Sequence, residues 1–243
     1  MKDALKQAAE ALSIAVPDLQ TGKSFEAVVL FKAALALANG FEELVVRDHR
    51  GKVTTTFRLR GGPGHVPSQT APGDQPSYLE LRGSDARRSF ELHNSLEFAG
   101  ASGAEHEIDV ALVWKPAIDE LRNAGGGIVP HPPLVGIELK EFDPTKSLDK
   151  NLLRAFVACV VDLMPLRHLA SFEVGRQFPH KEVRIGHGGH MFLYLTTADI
   201  TPPSCRLCEF FGIEPHPNVD TTKLDQILGE LYFRLTVWMA ASL

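Results

Sequence analysis

Glu138 and Lys140 stand two residues apart inside the apolar run Val135-Gly-Ile-Glu-Leu-Lys-Glu-Phe142, and Asp109 stands inside the earlier run Ile108-Asp-Val-Ala-Leu-Val113. Both runs read as buried strands. Strand side chains alternate between faces, so Glu138 and Lys140 point the same way. Charges inside apolar strands are costly unless they are paired or bind a metal. If Asp109 and Glu138 converge from neighbouring strands, they make a hard oxygen site suited to Mg²⁺ or Mn²⁺. Lys140 would then orient a water or neutralise developing negative charge. The backbone carbonyl of Leu139 offers a further ligand. Glu26, at the start of an apolar helix, could bind a second metal or hold a metal-bound water. The structural alternative is a salt bridge at Glu138 with Asp109 at a strand end.

The elements that must position these groups follow from hydrophobic patterning. Residues 3–15 are Ala-rich and predict a helix stopped near Pro17. A second helix is predicted over Phe25 to Asn39, with Ser24 as N-cap and Gly40 past its end. It is apolar almost all round and should be buried. Glu42 to Arg60 predicts a hairpin turning at Asp48-His-Arg-Gly51. Gly61 to Pro76 predicts a mobile loop. Strands are predicted at 77–81, 90–98, around Asp109, around Glu138, at 169–174 and at 191–197. An amphipathic helix starts at Ser147 with Leu148, Leu152, Ala155, Phe156, Cys159, Val160 and Leu163 on one face. A short helix opens at Thr201-Pro-Pro and is capped by Gly212. A last helix covers about 221–243.

The order of a helix bearing Glu26, a hairpin ending in Glu107-Ile-Asp109, then Ile137-Glu-Leu-Lys140, an amphipathic helix and another strand resembles the PD-(D/E)XK nuclease superfamily. The likeness is nearest to type IV restriction-like members. It spans about residues 23 to 213, and its motif is Asp109 with Glu138-Leu-Lys140. The family's proline before the aspartate is replaced by Ile108. The resemblance implies an α/β, restriction-endonuclease-like mixed central sheet flanked by helices. It also implies one nuclease-like domain over 1–243 that hydrolyses phosphodiesters, in DNA more often than RNA, with Mg²⁺ or Mn²⁺. Asp109 and Glu138 would bind the metal, Lys140 would assist the attacking water, and Glu26 would support the site. A role in prokaryotic defence is the expectation that the analogy carries, and an inert binding module on the same scaffold is the alternative.

Arg47, Arg50, Lys52, Arg58 and Arg60 load the hairpin with positive charge, which predicts either a phosphate-contacting arm or a solvated face. Asn151 and Arg154 begin the helix after the Glu138 strand and could face the scissile phosphate. Cys205-Arg-Leu-Cys208 lacks a second pair, so core thiols are expected rather than zinc. Gly186-His-Gly-Gly-His190 reads as a loop, and His93 and His106 read as surface residues flanking the site. Thr21-Gly-Lys-Ser24 lacks the earlier glycine and apolar strand of a P-loop. With a net charge of −5 over 243 residues, the chain has no global basic signal, and a separate targeting subunit is one expectation. Three cysteines, no apolar leader and no long uncharged stretch predict a cytoplasmic protein with no membrane span. The C-terminal helix could also serve as a homodimer surface.

Overall fold

A computed structural model describes residues 1–17, 22–84, 88–165 and 189–241 of the chain. It is a mixed α/β structure. Its elements are α1 (Lys2–Ala11), α2 (Ser24–Ala38), β1 (Glu43–Arg47), β2 (Val66–Pro67), β3 (Tyr78–Arg82), β4 (Phe90–Ala99), β5 (Glu105–Trp114), α3 (Lys115–Asn123), β6 (Gly126–Gly127), β7 (Val135–Lys140), α4 (Lys150–Leu163), β8 (Met191–Thr196), α5 (Pro202–Phe210), β9 (Ile213–His216) and α6 (Thr221–Ala241). Among the described residues the main sheet has seven strands in the order β1-β3-β4-β5-β7-β8-β9. The pairs from β1 through β7 are antiparallel; β7–β8 and β8–β9 are parallel. A two-stranded sheet joins β2 to β6. None of the described helices is long and apolar enough to cross a membrane. The 169–174 strand predicted from sequence lies outside the described residues.

Two apolar clusters hold the layers together. In one, α2 packs with α1, α6 and the sheet through Phe25, Val28, Leu30, Phe31 and Leu37. These side chains are almost fully buried. Each contributes roughly 1.5–3 kcal/mol, enough together to carry a few desolvated charges elsewhere. In the other, Leu153, Phe156, Val157 and Val160 of α4 pack with Phe192 and Tyr194 of β8. Here α4 begins later than its apolar pattern suggested: Asp149 is the N-cap and accepts from the Asn151 N–H at 2.9 Å. Similarly, Ser24 is the first residue of α2 and not its cap, which is Lys23.

Three other expectations are corrected. The turn at Asp48–Gly51 forms, with Gly51 left-handed (φ 79°) and its N–H donating to the Asp48 carbonyl. Its return arm, however, meets β1 only near the turn, through the bridge Arg47↔Val53 and the bonds Asp48 N–H to Lys52 carbonyl and Thr54 N–H to Val46 carbonyl, and then pairs with Ala15 through Thr55 and Phe57. Instead β1 pairs with β3, matching Leu44 to Leu81 and Val46 to Leu79. Second, the 61–76 loop is tied down: β2 pairs with β6, and Gly64 exchanges backbone bonds with Ser95 and Glu97. Third, α3 and β9 were not expected from sequence. The outer strand β9 carries Pro215 and packs under α5, whose end is turned by Gly212 (φ 70°).

Candidate active site

The site lies where β5 and β7 part. The two strands pair as far as Val110↔Ile137. Continuing that register one residue puts Asp109 opposite Glu138, and three residues puts Glu107 opposite Lys140. The ladder is replaced there by a side chain: the Leu139 N–H donates to Asp109 Oδ2 at 2.7 Å. A strand residue's N–H and C=O point to the same edge, so the Leu139 carbonyl also faces this gap. Lys140 Nζ lies 2.5 Å from Glu138 Oε1 and 3.8 Å from Asp109 Oδ2. The three residues singled out for chemistry thus converge, each largely buried.

On the other side of β5 from this gap lies β4. Its register with β5 runs Asn94↔Val110 and Leu96↔Ile108, which leaves Ser95 facing Asp109 outside the ladder. Ser95 is left-handed, with φ 44°. Its hydroxyl donates to Glu26 Oε1 at 2.9 Å, beside the Asn94 amide at 2.7 Å, while Lys23 Nζ reaches Glu26 Oε2 at 2.5 Å and Ser95 Oγ at 2.8 Å. Glu26 is therefore buried with both oxygens engaged. It stands behind Asp109 and does not close a three-carboxylate group with Asp109 and Glu138. Among the described residues the group of ligand-type atoms lying within 4.8 Å of one another is His65, Glu97 and Glu105. Glu97 and Glu105 lie further along β4 and β5 and His65 just before β2, with His65 and Glu105 about half exposed (49% and 51%). Exposed pairs of that kind contribute little.

The electrostatics of the gap favour a cation. Burial pushes the Asp109 carboxyl up to about 6; Lys140 and the Leu139 N–H oppose the rise, and Glu26 and Glu107 add to it. Burial and then the Asp109 charge push Glu138 up to about 7, with Lys140 offsetting part of the effect. Burial would lower Lys140, but Glu138 and Asp109 outweigh it and hold the ammonium above its ordinary value. One ammonium therefore faces Glu138, Asp109 and Glu107. The donors are all oxygens, a carbonyl faces the same gap, and the buried hydroxyl of Tyr194, the β8 residue paired with Glu138, has no partner among the described residues. That set fits Mg²⁺ or Mn²⁺ held by Asp109, Glu138 and the Leu139 carbonyl.

The residues expected to contact nucleic acid are dispersed. Arg47 pairs with Glu80 and donates to the Gly51 carbonyl. Arg58 pairs with Asp74 at 2.8 Å. Arg50 and Lys52 stay exposed. Arg60 is a correction: it is buried, its Nε donates to the Asn94 carbonyl and its Nη1 to the His65 carbonyl. Burial lowers its pKa to about 10 against the pull of Glu97 and Glu107. It braces the strand carrying Ser95 instead of facing solvent. Asn151 and Arg154 are exposed on α4, away from its buried face, and touch each other at 3.5 Å. His93 is buried against Glu91 at 2.8 Å, and His106 bonds Asp162 at 2.7 Å, so neither is a free surface histidine. Cys208 is buried and its thiol is pushed up to about 12, which suits a core thiol better than a zinc ligand.

Sequence reasoning missed Lys23, Asn94, Ser95, Glu107 and Tyr194 as neighbours of the site. Glu107 was legible as the alternate residue to Asp109 on one strand face; the others act through long-range contacts that no local pattern carries. Against family models, curated proteins and solved structures, the chain gives no significant match.

Proposed function

We propose that the protein is a divalent-metal-dependent phosphodiesterase of the PD-(D/E)XK type, with a restriction-endonuclease-like core, and that its substrate is DNA. The observation that carries this reading is the meeting of Asp109, Glu138 and Lys140 at one break in the sheet, with two carboxyls held above their ordinary range by burial. Metal bound by Asp109 and Glu138 would supply Lewis acidity and a more acidic water. Lys140 does the rest: its ammonium neutralises charge gathering on the phosphate and holds the nucleophilic water in line. Glu26 keeps its place through Asn94, Ser95 and Lys23, and so fixes the wall behind Asp109. Arg50 and Lys52 provide the exposed positive charge for the backbone of the nucleic acid.

One observation favours a second reading. Lys140 already pairs with both carboxylates, and that closed arrangement also suits an inert binding module. Incubating the full chain with plasmid, single-stranded DNA and RNA, in Mg²⁺, Mn²⁺ or chelator, separates the two. Cleavage that needs the metal and vanishes with chelator supports the nuclease. Tight binding of nucleic acid without any cleavage, with metal bound, supports the module.

A further inference from the structure

Tyr194 is fully buried, and its hydroxyl has no hydrogen-bond partner among the described residues. An unpaired buried hydroxyl is unfavourable, and phenylalanine would fill the same space without it. The ring is fixed on one side by Phe156 of α4, with centroids 5.7 Å apart. In the parallel β7–β8 register Tyr194 lies directly beside Glu138, so the two side chains rise from the same face of the sheet. Glu138 leans toward Lys140 through Oε1, and its other oxygen accepts no hydrogen bond among the described residues. A buried donor without a described acceptor thus rises from the strand position beside Glu138, at the proposed metal site.

Resting on the metal-site reading above, we propose that Tyr194 is a positioning residue for Glu138. Its hydroxyl donates to the Glu138 carboxylate once a divalent cation takes over from Lys140, and so holds that carboxylate in its ligating orientation. Lys140 is then free to face the substrate. Tyr194 itself touches neither cation nor phosphate.

The test is Tyr194→Phe in the full chain, read by titration calorimetry with Mg²⁺ and Mn²⁺ and by thermal melts with and without the ion. The expected result has opposite signs in the two states. Without metal the melting temperature holds or rises by about 2–4 °C, because an orphan hydroxyl is gone. Affinity for the divalent ion falls about tenfold, the loss usual for a group that orients a ligand. A lower melting temperature without metal would mean that the hydroxyl serves the fold, and would overturn the proposal. So would unchanged affinity in a variant whose parent binds the ion. A parent chain that binds neither ion would sink the metal-site reading itself, and this proposal with it.

Discussion

Ser95 faces Asp109 across the β4–β5 ladder and is the only residue of β4 with a left-handed backbone, φ 44°. The turn removes it from the ladder and sends its hydroxyl to Glu26. A strained residue that also supports a buried carboxylate gives an unusual ranking of substitutions. Ser95→Ala should cost about 1–3 kcal/mol, the loss of a bond to a charged acceptor. Ser95→Gly should cost about 1 kcal/mol less than Ser95→Ala, because glycine escapes the left-handed penalty. Urea denaturation measures both. Alanine proving the better tolerated of the two would show that the backbone there is relaxed.

Lys140 both neutralises the carboxylates and competes with any cation for them. Lys140→Met should reduce cleavage at least about 100-fold. Calorimetry on the same variant should show Mg²⁺ binding retained or tightened. Near-full activity would remove Lys140 from the chemistry.

The raised carboxyls give stability a definite pH dependence. A carboxyl whose folded pKa exceeds its ordinary value stabilises the fold below that ordinary value, and the contribution is lost as pH rises through the folded one. For Asp109 and Glu138 the loss therefore accrues as pH climbs out of the ordinary carboxyl range and is complete above about 6 and about 7 respectively. Glu138→Gln removes one of these titrations while leaving Asp109 to Lys140. The metal-free variant should therefore gain on the parent as pH rises from 5 to 8, by roughly 1–2 kcal/mol. Saturating Mg²⁺ should stabilise the parent and close the gap. A gap that shrinks with pH in the absence of metal contradicts the assignment.

Arg50 and Lys52 are exposed, whereas Arg60 is locked to Asn94 and His65. Replacing Arg50 and Lys52 together by Ala should weaken DNA binding and lower the slope of log K against log salt by about 2, with folding intact. Arg60→Ala should show mainly in the melting temperature. An unchanged salt slope in the double variant would move the phosphate contacts elsewhere.

The strands and helices that bear the site were legible because their apolar runs are long: α2, β4, β5, β7, α4 and β8 all stand where patterning put them, give or take a few residues. The charges inside those runs stood out for the same reason. What was not legible depended on partners distant in sequence. The 53–59 segment alternates like a strand, yet β1 takes β3 as its partner, and Val53 ends 70% exposed. Helix α3 hid because its inward face holds Ile118 and a charged residue, Arg122, which pairs with the fully buried Glu91 at 2.5 Å. Arg60 looked like one more surface cation until its acceptors were placed. The left-handed turn at Ser95 has no local signature at all, since serine carries no preference for it.

Among the described residues, neither margin of the main sheet can readily recruit another chain. Pro215 deprives β9 of an amide donor, and the Val53–Thr54 segment occupies part of the outer side of β1. Edge-to-edge polymerisation is therefore disfavoured from both flanks. If two copies join, side chains must supply the contact, and α6 turns Phe233 and Val237 outward for that purpose.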